Sequence, residues 1–163
     1  VQVAEQMADY LTTGAVSNAL NIPSMSAEDA AKLKPYLTLA DQLGSFTGQL
    51  TESGLKQIKV EYEGTASKLN TKPLTAVILK GILAPQMEGV NMVNAPVVAK
   101  ERNIEVSGAS VDRKGDYSTL IRITVVTEKG TRTIAGTLFA DKPRVVEVSG
   151  IRLEAGLGKI MLY

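Results

Sequence analysis

The sequence predicts an α+β domain in which helices pack on one face of a mainly antiparallel sheet of about four strands. Apolar residues recur at helical spacing through most of the first half of the chain, whereas they alternate with polar residues from Gln57 to Glu63. After Ile104 the chain is rich in β-branched residues separated by short turns. This order, with most helices before most strands, favours an α+β arrangement over alternating βαβ units.

The N-terminal part predicts three helices. The first runs from Val1 to about Gly14, and the second is short, because Ser26 and Asp29 resemble a capping box and Pro35 ends it. Pro35 then suits the first turn of a third helix, whose apolar residues form one stripe. The stripe consists of Tyr36, Leu39, Leu43, Phe46 and Leu50.

Two glycines, Gly44 and Gly48, lie four residues apart on the third helix. This spacing occurs in membrane helix dimers, but the surrounding helix is amphipathic. We therefore expect the glycines to allow close approach of a neighbouring backbone.

The remaining elements follow from alternation and turn residues. The strand Gln57–Glu63 has one apolar face, and Glu128-Lys129-Gly130 is a hairpin turn in which glycine supplies a positive φ. Asn91 or Asn94 can cap the start of a later helix, and Asn103 can take the left-handed turn at its end. The other predicted elements are helices over 73–84 and 95–102 and strands over 117–127, 131–140 and 144–149.

The composition excludes several kinds of metal site, catalytic mechanism and binding partner. The chain contains no histidine and no cysteine, which excludes imidazole and thiolate metal sites and Ser-His-Asp or Cys-His catalysis, and makes an independent enzyme a poor prediction. With 18 basic and 17 acidic residues, no global field attracts nucleic acid or an anionic membrane surface. No apolar run reaches the length of about 20 residues that a membrane helix needs. The absence of cysteine fits a reducing compartment, so we expect a cytoplasmic protein.

Several motifs have simple structural explanations. Gly156-Leu157-Gly158 leads into a strand pattern, whereas a phosphate loop precedes a helix. The pair Glu61 and Glu63 is expected on the solvated strand face rather than in acid/base chemistry. Glu28 and Asp29 complement a helix dipole.

A group of basic residues near the end of the chain predicts a local anion site. Lys142 and Arg144 share a strand face if the strand begins early enough, and Arg152 or Arg132 from neighbouring strands can lie beside them. Arginine suits bidentate recognition of carboxylate or phosphate. The alternative is that these are edge-strand charges that discourage aggregation.

Two segments resemble long-form D-3-phosphoglycerate dehydrogenases. The segment from Val90 to Ile104 is similar to that family's VNxVNAxxxAKERxI motif, and the segment from Gly136 to Gly150 is similar to GTLFxxxxPRIVxxxG. The second has one residue fewer before Pro143 and Val145 in place of isoleucine. The stretch QVAEQMADYLTTGAVSNALN resembles the helix and linker that leave the family's catalytic half.

The resemblance implies the intervening, or allosteric substrate-binding, domain of such an enzyme. It implies an exit helix and linker over 1–20, the α+β domain over 21–157, and the start of a first ACT-domain strand over 158–163. The parent would oxidise 3-phosphoglycerate with NAD, although no catalytic or NAD-binding residue falls in this segment. The implied partners are the catalytic and ACT domains, further copies of the chain, and phosphate or 3-phosphoglycerate. Arg144 matches a basic position of the family's motif. A structural spacer or oligomerisation module without a ligand remains the alternative.

Overall fold

A computed structural model of the chain describes residues 27–52, 54–113 and 115–157. The predicted helix from Val1 to Gly14 and the proposed segments 1–20 and 158–163 lie outside these residues. Within them the chain forms three α-helices, a short 3₁₀ turn at Thr65–Lys68 and six strands. The helices are α1 (Ala27–Leu50), α2 (Thr71–Leu83) and α3 (Ala95–Glu101), and the strands are β1 (Leu55–Gly64), β2 (Glu105–Val111), β3 (Thr119–Thr127), β4 (Gly130–Phe139), β5 (Lys142–Val148) and β6 (Ile151–Gly156).

The strands form one mixed sheet in the order β2-β1-β3-β4-β5-β6. The α+β class is confirmed, but the expectation of about four antiparallel strands is wrong in number, and β2 runs parallel to β1. The sequence of β2, EVSGASV, has small side chains in place of alternating large apolar ones. The edge strand β6 has only six residues. Strand β2 therefore lacks the usual alternating strand pattern, whereas β6 has the alternation but is short.

Helix α1 is continuous through Pro35, so the prediction of a helix break at this residue is wrong. A proline inside a helix removes one backbone hydrogen bond and crowds the preceding turn. Leu33 and Leu39, on either side of Pro35, are both buried in the same core cluster. Their burial in one core favours a single helix despite the local cost of the proline.

The predicted close approach at the α1 glycines is confirmed. A Cβ atom added to Gly44 would lie 2.7 Å from the carbonyl oxygen of Ile78, and one added to Gly48 would lie 2.5 Å from that of Gly81. Gly81 is equally constrained, because its Cβ would lie 2.5 Å from the backbone nitrogen of Ser45. Helices α1 and α2 therefore touch backbone to backbone.

The helices cover one face of the sheet. Apolar side chains from β1, β3 and β4 pack against α1 and α2 in one cluster that includes Ile58, Val60, Tyr62, Ile121, Ile123, Ile134, Leu39, Leu43, Leu74 and Ile78. We call the opposite side of the sheet the open face. A smaller apolar cluster of Leu120, Ala135 and Val146 is separate from this core.

The structure also shows helix caps and residues with positive φ at helix ends and turns. Asn70 caps α2 by accepting a hydrogen bond from the backbone nitrogen of Lys72. Asn103 has a φ of 57° after α3, as predicted, and Gly130 has a φ of 147° at the β3–β4 turn. Asn94 occupies the N-cap position of α3 without a side-chain cap bond, and its side chain accepts instead from the backbone nitrogen of Asn91.

No helix within the described ranges is both long and apolar enough to cross a membrane.

Gly48→Ala is expected to destabilise the domain by about 1–3 kcal/mol, because the added methyl group would press on the backbone of α2. This net loss already allows for the roughly 1 kcal/mol by which alanine is a better helix former than glycine. Urea denaturation measures the change. Gly108→Ala is the control, because the nearest atom to its added Cβ would be Thr75 Oγ1 at 3.7 Å. A Gly48→Ala variant as stable as the wild type would contradict the contact.

The buried phenol of Tyr62 predicts a loss of stability at high pH. Burial raises the pKa of Tyr62 to about 12, and a hydrogen bond with the Thr75 hydroxyl at 2.6 Å partly offsets the rise. Between pH 10 and 12 the unfolded chain loses this proton while the folded chain keeps it. The free energy of unfolding should therefore fall by up to about 1.4 kcal/mol per pH unit from this group.

A Tyr62→Phe variant lacks this proton. Urea denaturation across the same pH range should show a shallower fall in its free energy of unfolding than in that of the wild type. Equal slopes for the two proteins would show that Tyr62 titrates normally in the folded state.

Candidate anion-binding site

Three of the four basic residues predicted for an anion site lie on the open face. Arg144 precedes Val145, which is buried in the core, so alternation directs Arg144 to the other side of the sheet. Lys142 lies two residues earlier on β5 and shares that face. Arg152 precedes Leu153, which packs against the core, and so also lies on the open face.

Arg132 lies on the opposite, helix-covered side. It pairs in register with Val125, which belongs to the core, and its Nη1 donates a hydrogen bond to the carbonyl oxygen of Leu50 at 2.6 Å. Leu50 is the last residue of α1, so Arg132 satisfies a carbonyl that the helix itself leaves unpaired. The prediction that Arg132 lies beside the other three basic residues is wrong, because the register of β4 turns its side chain towards α1.

The Arg132 contact belongs to a junction between the end of α1 and the β3–β4 hairpin. Lys129 in the hairpin turn forms an ion pair with Glu52, and this contact lowers the pKa of the Glu52 carboxyl. The backbone nitrogen of Glu128 donates to the carbonyl oxygen of Gly54 at 3.0 Å. These contacts attach the hairpin to the helix layer. Arg132 and Lys129 therefore stabilise this junction.

Arg144 is half-buried and forms no hydrogen bond or ion pair with another described residue. Its guanidinium lies over Gly156 of β6, where an added Cβ atom would be 3.1 Å from Nη1. The missing side chain at this glycine makes room for the guanidinium. Because no carboxylate neutralises it, Arg144 keeps its donors available for an anion.

Lys142 is exposed at the start of β5, and it too has no ion pair within the described ranges. Two residues along a strand span about 7 Å, so the flexible ammonium of Lys142 can approach an anion held by Arg144. Arg152 is farther away. It pairs with Glu147, which lies three residues, or about 10 Å, from Arg144 along β5.

Arg152 already has an acidic partner, Asp116, with Nη1 and Oδ2 at 3.4 Å. Both side chains are mostly exposed, at 83% and 75%. An exposed pair of this kind contributes little to stability, so it does not fix Arg152 firmly in place.

A second charged cluster, which no sequence motif indicates, lies on the open face and is centred on Arg122 of β3. Its Nη1 lies 3.5 Å from Glu63 Oε1 and its Nη2 lies 3.4 Å from Glu147 Oε2. Arg122 pairs in register with Ala135, and Ala135 pairs with Glu147. The small Ala135 side chain lets the guanidinium reach across β4 to β5.

The placement of Glu63 on a solvated face is wrong. Glu63 is buried, because the loop that precedes β3 lies over this end of β1 and the carboxylate pairs with Arg122. A Cβ on Gly115 of that loop would lie 3.7 Å from Glu63 Oε2. Only the register between strands and the path of this loop reveal the cluster, and a single sequence shows neither.

Charges in the groove around this cluster balance. The groove has a volume of about 180 Å³ and is lined by three carboxylates and three arginines, namely Glu63, Asp116, Glu147, Arg113, Arg122 and Arg152. Internal pairing therefore offsets the positive charge there. Arg144 does not line this groove, which leaves it as the least neutralised arginine of the predicted set. Across the part of the chain that the structure describes, no group of acidic side chains could hold a metal ion.

Arg122→Ala is expected to lower the free energy of unfolding by about 2 kcal/mol, because Glu63 would stay buried without its counter-charge. Arg152→Ala is the matched control, since its pair with Asp116 is exposed, and should change stability by less than about 0.5 kcal/mol. Urea denaturation at neutral pH compares them. Equal losses in the two variants would contradict the structural role given to Arg122.

Comparison with known proteins identifies the family. Residues 32–149 match the model of the D-3-phosphoglycerate dehydrogenase intervening domain. The chain is 36% identical over 149 residues to D-3-phosphoglycerate dehydrogenase of Methanocaldococcus jannaschii, covering 91% of this chain and 28% of that protein. It is 33% identical over 155 residues to the Bacillus subtilis enzyme of the same name, covering 94% of this chain and 30% of that protein.

The chain thus spans less than a third of the length of these relatives. The matched region begins within α1 and ends directly after β5, so it contains the helix layer, Arg122 and Arg144. The family resemblance seen in the two sequence motifs is confirmed, and the chain belongs to the D-3-phosphoglycerate dehydrogenase intervening-domain family.

Proposed function

We propose that this chain is the non-catalytic regulatory region of a D-3-phosphoglycerate dehydrogenase. In this proposal the parent enzyme oxidises 3-phosphoglycerate with NAD in the cytoplasm, as an early step of serine synthesis. The relatives' names support the substrate class. The catalytic and ACT domains of the same protein are its proposed partners, and this region binds neither NAD nor a metal.

The ligand we propose for the domain is an anion that carries a phosphate group, either inorganic phosphate or 3-phosphoglycerate. The observation that carries the proposal is the half-buried residue Arg144, whose guanidinium has no partner among the described residues. Phosphate and carboxylate match the planar donor pattern of arginine. Lys142 would add a second positive charge from the same strand face, and Arg152 would contribute only after leaving Asp116.

The alternative is a structural spacer or oligomerisation module without a ligand. It is supported by the balanced charges around Arg122 and by the two edge strands, β2 and β6, which have no outer partner in the described part of the sheet. The two functions differ in their response to anions. A spacer would show no change in thermal stability on adding phosphate, whereas a binding domain would be stabilised.

Isothermal titration of the 163-residue chain with phosphate and with 3-phosphoglycerate tests the proposal. Arg144→Ala should weaken binding at least about tenfold, because it removes charge-assisted hydrogen bonds worth roughly 1.5–3 kcal/mol. Arg132→Ala is the control: it should lower stability by breaking the contact with Leu50 and leave the affinity unchanged. No heat at millimolar ligand, together with an unchanged melting temperature, would rule out the anion site.

A further inference from the structure

Strand β6 forms one edge of the sheet, and within the described residues its outer side has no partner. Its sequence, Ile151-Arg152-Leu153-Glu154-Ala155-Gly156, contains no proline. Leu153 packs against the core, and Ala155 pairs with the core residue Val145. The register with β5 shifts between Ala155 and Arg152, but Arg152 pairs with Glu147 on the open face, and the exposed Glu154 lies two residues further along β6. The two opposite charges therefore share the open face. Both charged residues are exposed, and 64% of Ile151 is also exposed.

The order of charges on β6 is self-complementary. When a strand pairs antiparallel with an identical strand about a two-fold axis through Leu153, Arg152 of each copy lies directly opposite Glu154 of the other. Directly opposed charges of opposite sign stabilise a strand pair, and like charges destabilise it. The arrangement therefore gains two attractive pairs.

Other registers are disfavoured by the same charges. A register that keeps the open faces of both copies on one side must place the axis on a residue, because a slip by one residue exchanges the faces. An axis through Arg152 would oppose two arginines, and an axis through Glu154 would oppose two glutamates. Among these neighbouring registers, the axis through Leu153 is the favourable one.

We propose that β6 pairs antiparallel with β6 of a second copy of this chain, with Leu153 on the two-fold axis, so that one sheet continues across both copies. The interface is isologous, as in most homodimers. Leu153 would contact its counterpart on the helix-covered side, and Ile151 would lie opposite Ala155. Arg152 can enter this interface because its pair with Asp116 is exposed and weak.

The other edge of the sheet lacks this property. Strand β2 carries a single charged residue, Glu105, so no antiparallel pairing of two β2 strands brings opposite charges on that strand together. Charges on edge strands commonly discourage association. On β6 their alternating sign instead selects one partner and one register. Glu105 thus offers a control position for charge reversal at a sheet edge.

Sedimentation equilibrium of the full 163-residue chain, at neutral pH and low salt, tests the pairing. The wild type should dimerise at concentrations up to about 100 µM. Arg152→Glu and Glu154→Arg should each weaken the dimer at least about tenfold, because each reversal places like charges opposite one another twice. The double variant Arg152→Glu with Glu154→Arg should restore the wild-type affinity to within about threefold. Glu105→Arg should leave it unchanged.

A monomeric wild type at these concentrations would overturn the proposal, as would single variants that dimerise like the wild type. Failure of the double variant to regain affinity would also overturn it. Circular dichroism of every variant separates unfolding from lost association. Anion binding at Arg144 is measured separately, so neither result decides the other.

Cross-linking tests the register directly. The chain contains no cysteine, so Leu153→Cys introduces a single thiol at the proposed two-fold axis. A short bifunctional thiol-reactive reagent should join two copies of this variant, because directly opposed residues of an antiparallel pair have Cβ atoms about 4.5–5.5 Å apart, farther than the roughly 3.5–4.5 Å of a disulfide. Ala109→Cys, on β2, should stay uncrosslinked at the same concentration. A Leu153→Cys variant that sediments as a dimer but gives no covalent dimer would contradict this register.

Discussion

The backbone contact between α1 and α2 determines how the helix layer packs on the sheet. At three positions, a side chain would collide with backbone atoms of the opposite helix. These positions are Gly44, Gly48 and Gly81. The sheet makes a similar allowance, because a Cβ on Gly136 would lie 2.7 Å from a terminal methyl group of Leu43. The absence of side chains at these positions lets the two helices pack close to each other and close to the sheet. The domain can then bury one continuous core beneath a single helix layer.

Because the helices cover only one face of the sheet, Arg122 and Arg144 both lie on the other face. Their surroundings differ. Arg122 is flanked by the carboxylates of Glu63 and Glu147. Arg144 lies against Gly156, and no carboxylate among the described residues pairs with it. Charge balance in one part of the open face and imbalance in another thus arise from the same architecture. In our account this difference separates an arginine that holds the sheet together from one that binds a ligand.

Local sequence signals predicted what depends on local structure. The predicted close approach at the α1 glycines and the predicted left-handed conformation of Asn103 are confirmed. Residue spacing alone determines the first, and local backbone conformation determines the second. The predicted helix break at Pro35 is wrong, because burial of the residues on both sides of Pro35 outweighs the local cost of the proline. The predicted position of Arg132 is wrong, and no sequence signal predicts the cluster around Arg122. In both cases strand register decides which face each side chain occupies. Register depends on residues distant in the chain, which a single sequence does not align.

In the proposed function, Arg144 is the arginine left free to bind an anion. Nuclear magnetic resonance of the arginine side-chain Nε–Hε groups, during titration of the isotope-labelled chain with inorganic phosphate, tests it most directly. If Arg144 binds the anion, its signal should shift until the site is saturated. The signals of Arg122 and Arg132 should change little, because their guanidinium groups already have protein partners. An unmoved Arg144 signal while another arginine shifts with saturation would contradict this role of Arg144.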